Sequence, residues 1–265
     1  MNRRVCAIGC AILAYGVLGL SASALDVKGL ALYLPLDEGS GETTRDGGPL
    51  KLTGKLVGKP DWVAGKFGKA VAFKGGGSGT WIEIAHDPRL DATDALTVSV
   101  WINPNTWDPM AAQCCIQVYG FGVHGGCGGR VQFGMFWEGA MLKLRVEATG
   151  GRHDIPATPP LTKQWSHVAA TYDGKNALMY INGEKAVEQA APGGVLKKSN
   201  EPFMIATDCE RPNYVLNGAV DELVYFQRVL DAGEVKELAA RSLQSALAVE
   251  ANGKTAAMWG YLKSR

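Results

Sequence analysis

The sequence predicts an all-β fold, an antiparallel β-sandwich (jelly roll) with one short C-terminal helix, preceded by a signal peptide. Three observations carry that expectation. Across 265 residues, 34 Gly and 12 Pro punctuate short apolar segments, the pattern of many strands joined by many turns. Asp173-Gly174 and Asn182-Gly183 each separate alternating apolar segments, and both pairs tolerate the positive φ of tight hairpin turns. Only the segment after Leu230 carries convincing helix signals in the mature chain.

The elements follow in chain order. MNRR, then VCAIGCAILAYGVLGL, then SASA give a basic start, an apolar stretch and an Ala-x-Ala end at Ala24, which read as a secretory signal peptide over 1–24. The apolar stretch is shorter than the ~20 residues that span a bilayer, so no membrane span is expected in the mature chain, and the protein is expected to be secreted or extracytoplasmic. A single domain is expected over 25–242, with 243–265 a tail or a final strand. Strands are expected at 29–35, 69–74, 80–85, 95–103, 130–137, 141–147, 202–207 and 219–226, plus three antiparallel strands within 165–189. Such spacing argues for a sandwich rather than a βαβ fold. The helix is expected over about 231–242. Asp231 and Glu234 form a capping box there, and Leu230 and Val235 form the hydrophobic staple.

Charge excludes some partners. The chain has 27 Lys and Arg against 26 Asp and Glu, and loss of Arg3 and Arg4 leaves 25 basic residues. A near-neutral surface gives no electrostatic case for nucleic acid or anionic membranes. The mature chain keeps Cys114, Cys115, Cys127 and Cys209, read as two disulfides in an oxidising compartment. A bridge between the neighbours Cys114 and Cys115 is strained, so one is expected to bond Cys127 and the other Cys209. Zinc is the competing reading, but Cys-x-x-Cys spacing and clustered histidines are lacking.

The succession LYLPLDEGSGETTRDGG, GKFGKAVAFKGGG, LTVSVWINP, WSHVAATYDGKNALMYINGE and LNGAVDELVYFQRVL resembles the LamG-like jelly-roll domain. That family is a laminin G and pentraxin relative in the concanavalin A-like lectin/glucanase superfamily. The resemblance covers about residues 29–240. It implies two curved antiparallel sheets with loops at one rim, glycan or protein ligands, and in many relatives a structural calcium ion. It also implies that acidic ligands sit at Asp221, in Gly218-Ala219-Val220-Asp221-Glu222, and at Asp46, in TTRDGG. The alternative is that Asp221 accepts backbone or Arg hydrogen bonds with no metal. Glu222, of opposite parity on a strand, is expected to face solvent. Gly79-Thr80 stands where many relatives carry Asp or Asn, so a cation here would hold loops rather than touch ligand.

Trp101, Trp165 and His167 read as packing residues, because they fall within the resemblance's structural motifs. The paired carboxylates of related glycosidases and the Gln-x-His of alginate-lyase relatives are absent, and His86, His124, His153 and His167 show no triad or metal spacing, so no catalytic residue is expected. A glycan needs an aromatic face plus polar groups at a loop rim. Trp107 supplies the first in one loop, and Asp208, Arg211, Asn213 and Tyr214 supply both in another. The expected function is therefore a secreted, non-catalytic carbohydrate-binding module. A protein-interaction or structural module is the alternative, and a divergent glycoside hydrolase or polysaccharide lyase is a third reading.

Overall fold

The computed structural model describes residues 25–92, 94–106, 116–123, 130–138, 141–191, 193–196, 202–207 and 215–247. The leader, the four mature cysteines, Trp107, Asp208, Arg211, Asn213, Tyr214 and the end of the chain from 248 lie outside the described residues.

The strands are β1 (Leu30–Leu34), β2 (Thr43–Arg45), β3 (Thr53–Val57), β4 (Asp61–Ala64), β5 (Lys69–Lys74), β6 (Trp81–Ile84), β7 (Leu96–Pro104) and β8 (Ile116–Val123). They continue with β9 (Arg130–Glu138), β10 (Met141–Ala148), β11 (Gly151–Ala157), β12 (Ser166–Tyr172), β13 (Asn176–Ile181), β14 (Glu184–Ala190), β15 (Phe203–Ile205) and β16 (Asn217–Phe226), before α1 (Ala232–Ala240). The first sheet runs β14-β13-β12-β7-β16-β5-β4, with β1 also pairing β16. The second runs β11-β10-β9-β8-β15-β6-β3-β2. Every named pair is antiparallel.

Period-2 patterning sets which side chains meet. Leu96, Val98, Val100 and Ile102 of β7, and Val168, Ala170 and Tyr172 of β12, face Phe133, Met135, Leu142, Leu144 and Val146 of the second sheet in one buried core. The opposite parity of the first sheet builds a second core. There Ala169, Tyr180, Val224 and Phe226 pack under Leu230, Val235 and Leu238. The helix thus covers the outer face of the first sheet. Its capping box is formed, with Glu234 N donating to Asp231 Oδ1 at 2.9 Å and Asp231 N to Glu234 Oε2 at 3.0 Å. Residues 243–247 are also helical, and Leu243 and Ala246 join the second core. The domain therefore runs past 242.

Five strands escape the sequence pattern. β2, β3 and β4 are three to five residues long and carry Lys, Arg, Asp or Gly between their apolar positions. β8 holds two glycines. β11 is polar and contains Pro156, which is tolerated because β11 is an edge strand. None of the helices in the described residues is long and apolar enough to cross a membrane.

Candidate functional site

The end of β7 and the start of β16 pair, Pro104 opposite Gly218. Immediately beyond, Asn105 N donates to Asn217 O at 2.8 Å, and Asn105 Nδ2 to Asn217 Oδ1 at 3.0 Å. Gly218 is needed here because a Cβ on it would stand 2.5 Å from Asn103 O. Gly75 N donates to Leu216 O at 3.2 Å, and Gly75 adopts φ +73°. The excursion after β15 is closed at its neck by Leu216 N donating to Ala206 O at 2.8 Å. Lys163 N donates to Pro104 O at 2.6 Å. The segment leading to Trp107 and the segment holding Asp208–Tyr214 thus leave the sandwich from one junction. Sequence reasoning placed residues in both loops and missed Asn105 and Asn217, whose only signal is polarity at strand ends.

The acidic residues of β16 tell a different story. The strand exchanges one partner midway, Val220 pairing Val71 of β5 and Leu223 pairing Leu34 of β1. At the exchange Asp221 faces Trp101 and Val224 faces Ser99, so one extra residue bulges out. Glu222 takes φ +51° there, and a β-bulge breaks strict alternation. Both carboxylates consequently lie toward the outer face of the first sheet. Glu222 is buried rather than solvent-facing. Its oxygens accept from Tyr33 Oη at 2.9 Å and Leu243 N at 2.9 Å. Asp221 Oδ2 accepts from Phe67 N at 3.0 Å, while Oδ1 is buried without a partner. Burial pushes Asp221 and Glu222 each up to about 7. It also raises the Tyr33 hydroxyl, and the Glu222 charge adds to that.

Asp46 is a backbone clamp. Oδ1 accepts from Tyr33 N at 2.9 Å and Gly48 N at 2.6 Å, and Oδ2 from Leu52 N at 3.3 Å. Asp46 and Asp221 are engaged by separate sets of donors. Calcium takes about six to eight oxygens, and among the described residues no cluster of three or more His, Cys, Asp or Glu side chains could hold a metal. As they stand, Asp46 is engaged by three backbone N–H donors and Asp221 by one.

Trp101 and His167 pack under α1. Trp101 Nε1 donates to Leu238 O at 3.3 Å, and its ring meets Phe67 edge-on at 5.8 Å and His167 at 5.4 Å. Ser99 Oγ lies 2.6 Å from His167 Nε2, a spacing that suits a nucleophile and its base. Yet both residues are buried, and burial lowers His167 to about 3. This pair is sealed packing.

On the outer face of the second sheet, Arg145 stacks over Phe136, Cζ 4.4 Å from the ring centroid. Its Nε and Nη2 donate to Asp154 at 2.6 and 2.5 Å. Burial alone would raise Asp154, but the Arg145 pairing outweighs it and holds the carboxyl below its usual range.

The family model Laminin_G_3, described as the concanavalin A-like lectin/glucanases superfamily, matches residues 75–236. No curated protein matches the chain. Among solved structures, the binding domain of Paraclostridial Mosquitocidal Protein 1 aligns with a TM-score of 0.64 at 16% identity, covering 80% of this chain and 52% of that one. The Botulinum Neurotoxin serotype G binding domain aligns at 0.62 and 14% identity, covering 79% and 50%. Domain 4 of AbnA, a GH43 extracellular arabinanase from Geobacillus stearothermophilus in complex with arabinotriose, aligns at 0.56 and 20% identity, covering 79% and 98%. The chain spans about half the length of the two toxin domains, and at these identities the likeness is one of fold.

Proposed function

The chain belongs to the Laminin_G_3 family of the concanavalin A-like lectin/glucanase superfamily, and from that premise we propose that it is a non-catalytic module binding an extracellular glycan at the rim built on Asn105 and Asn217. The observation that carries this reading is the double hydrogen bond between those residues. Trp107 follows Asn105 by two residues and Tyr214 precedes Asn217 by three. An extended residue spans at most about 3.6 Å, so both aromatic candidates are joined to one anchor by short lengths of chain. A ligand site assembled on a braced junction loses less freedom on binding.

Two further observations support the reading. The arabinanase domain of the same fold was solved with arabinotriose, a short glycan. The one nucleophile–base pair and the one adjacent carboxylate pair described above are both buried, which favours binding over catalysis. The large apolar side chains exposed among the described residues, Leu161, Val195 and Val229, are scattered in sequence and do not favour a protein-docking patch. The leader read in the sequence is the basis for placing the module outside the cytoplasm.

The test is a polysaccharide-binding panel on the purified mature chain, run with calcium and again with chelator. Saturable binding to one glycan class is the expected result. A blank panel, with capture of a defined protein partner instead, would transfer the rim to protein recognition.

A further inference from the structure

The outer face of the first sheet is covered along one row and open along the next. Asp221, Trp101 and His167 stand side by side on β16, β7 and β12 and are buried, with α1 and Phe67 over the Trp101 ring. Two residues nearer the Asn105–Asn217 junction the row reads Asp61, Ala72, Ala219 and Asn103. Ser166 pairs with Ile102, so Trp165 comes next in that row, and alternation puts it on the face of His167. Asp61 is exposed there, and Ala72, Asn103 and Trp165 are half-buried, with Ala219 buried between them. Trp165, which the sequence suggests is a packing residue, therefore reaches solvent beside a row of small side chains.

The last row before the loops is Lys74, Asn217 and Asn105. The bond from Asn105 Nδ2 to Asn217 Oδ1 uses one atom of each amide. It leaves Asn105 Oδ1 as an acceptor and Asn217 Nδ2 as a donor, on residues that are exposed and half-buried respectively. A Cβ on Gly75 would stand 2.7 Å from Asn217 Cβ and 3.3 Å from Nδ2, so glycine there makes room for the amide. Asn103 brings a third amide beside them, and its Oδ1 is buried without a partner. Charge is sparse. Lys74 and Asp61 pair with each other at 3.3 Å at one end of the strip, and Lys163 stands at the other, its N–H on Pro104 O. Adjacent strands lie about 4.8 Å apart and two residues advance about 6.8 Å, so Trp165 and Asn217 are about 12 Å apart at the backbone. One sugar ring fits between side chains at that separation.

We propose that this strip recognises a neutral sugar unit with two adjacent hydroxyls, within the glycan bound at the rim. The apolar side of the sugar ring packs against Trp165. One hydroxyl donates to Asn105 Oδ1 and its neighbour accepts from Asn217 Nδ2. A hydroxyl both donates and accepts, whereas an ionised carboxylate only accepts and would set an anion against Asn105 Oδ1. The proposal rests on the glycan-binding reading, names its ligand class and makes Trp165 a contact residue.

Isothermal titration of the mature chain tests it, with xylotetraose, cellotetraose and mannotetraose, their permethylated forms, and tetragalacturonate. At least one free neutral tetraose is expected to bind, about tenfold or more tighter than its permethylated form. That affinity is expected to hold as salt is added, since no charge is paired. Asn217→Asp keeps the oxygen that accepts from Asn105 and turns the free donor into an acceptor. It is expected to lose about tenfold in affinity with its circular dichroism melt unchanged. Trp165→Ala is expected to lose a similar factor, and Asn217→Asp carries the test should that protein not fold. Equal binding of free and permethylated sugars, an Asn217→Asp protein that binds like the parent, or a preference for tetragalacturonate would overturn the proposal. If Trp107→Ala weakens binding while a folded Trp165→Ala does not, the rim reading survives and this strip does not. If none of the neutral tetraoses binds, the strip fails, and the polysaccharide panel alone decides the rim reading.

Discussion

Asn105 and Asn217 are joined through both backbone and side chain, at 2.8 and 3.0 Å, where β7 ends and β16 begins. Chain ends 112 residues apart in sequence are thereby fastened at the point from which two long loops depart. Asn217→Ala removes the side-chain half of the bracket. Because the pair is exposed, the loss of stability is expected to be small, within about 1 kcal/mol. Glycan affinity is expected to fall by a larger factor, since the loops lose their common anchor. Paired melting and titration measurements separate the two effects.

Asp221 tethers the turn between β4 and β5. Its Oδ2 accepts from Phe67 N, and a Cβ on Gly65 would stand 2.4 Å from Lys69 O and 2.6 Å from that same oxygen. Gly65→Ala is expected to destabilise by about 1–3 kcal/mol, the usual cost of forcing volume into a packed site. Asp221→Ala is expected to cost a similar amount, about 1–3 kcal/mol, by orphaning Phe67 N. Both losses are expected to be the same with calcium and with chelator in a thermal melt. A loss confined to the calcium condition would establish a metal at Asp221.

The acidic pair also sets a pH dependence. Burial raises Asp221 and Glu222 to about 7, while carboxylates of an unfolded chain titrate near 4. Between those values the folded state holds protons that the unfolded state has released. Stability from this source is full below about pH 4 and falls as pH rises toward 7. Burial raises Asp46 too, with the same sign. Glu222→Gln is expected to flatten the slope of melting temperature between pH 4 and 7. An unchanged slope would show that the pair does not titrate in that window.

Trp101 is expected to matter for folding and not for ligand. It is buried beneath α1 and bonded to Leu238 O. Trp101→Ala is expected to cost about 3–5 kcal/mol. Trp101→Phe, which keeps a ring there, is expected to cost less and to leave glycan titration curves unchanged. A large loss of affinity in a well-folded Trp101→Phe protein would make this ring part of the site.

Much of this architecture is legible in the residues. The expected strand at 69–74 coincides with β5, and the turns at Asp173-Gly174 and Asn182-Gly183 join the three expected strands, with Gly174 at φ +89°, Asn182 at +51° and Gly183 at +80°. The helix start was readable because capping is local chemistry. The orientation of Glu222 was not readable. Alternation predicts opposite faces for Asp221 and Glu222, but a change of partner from β5 to β1 introduces a bulge, and that exchange is a long-range event. Arg145 was equally hidden. It looks like a solvated charge in a strand, and only the register that sets it between Asp154 and Gly134 makes it a positioned donor. The rim was half legible. Aromatic and polar loop residues stood out, whereas the junction that brings their loops together depends on sheet order.

The most direct test of the central claim is a titration of the glycan selected by the panel against the mature chain and its Trp107→Ala variant. Aromatic anchors at binding sites are commonly worth more than about 1 kcal/mol. The account predicts a loss of roughly tenfold or more in affinity, with the melting temperature unchanged. Equal affinity for the two proteins would contradict a rim site built on the Asn105–Asn217 junction.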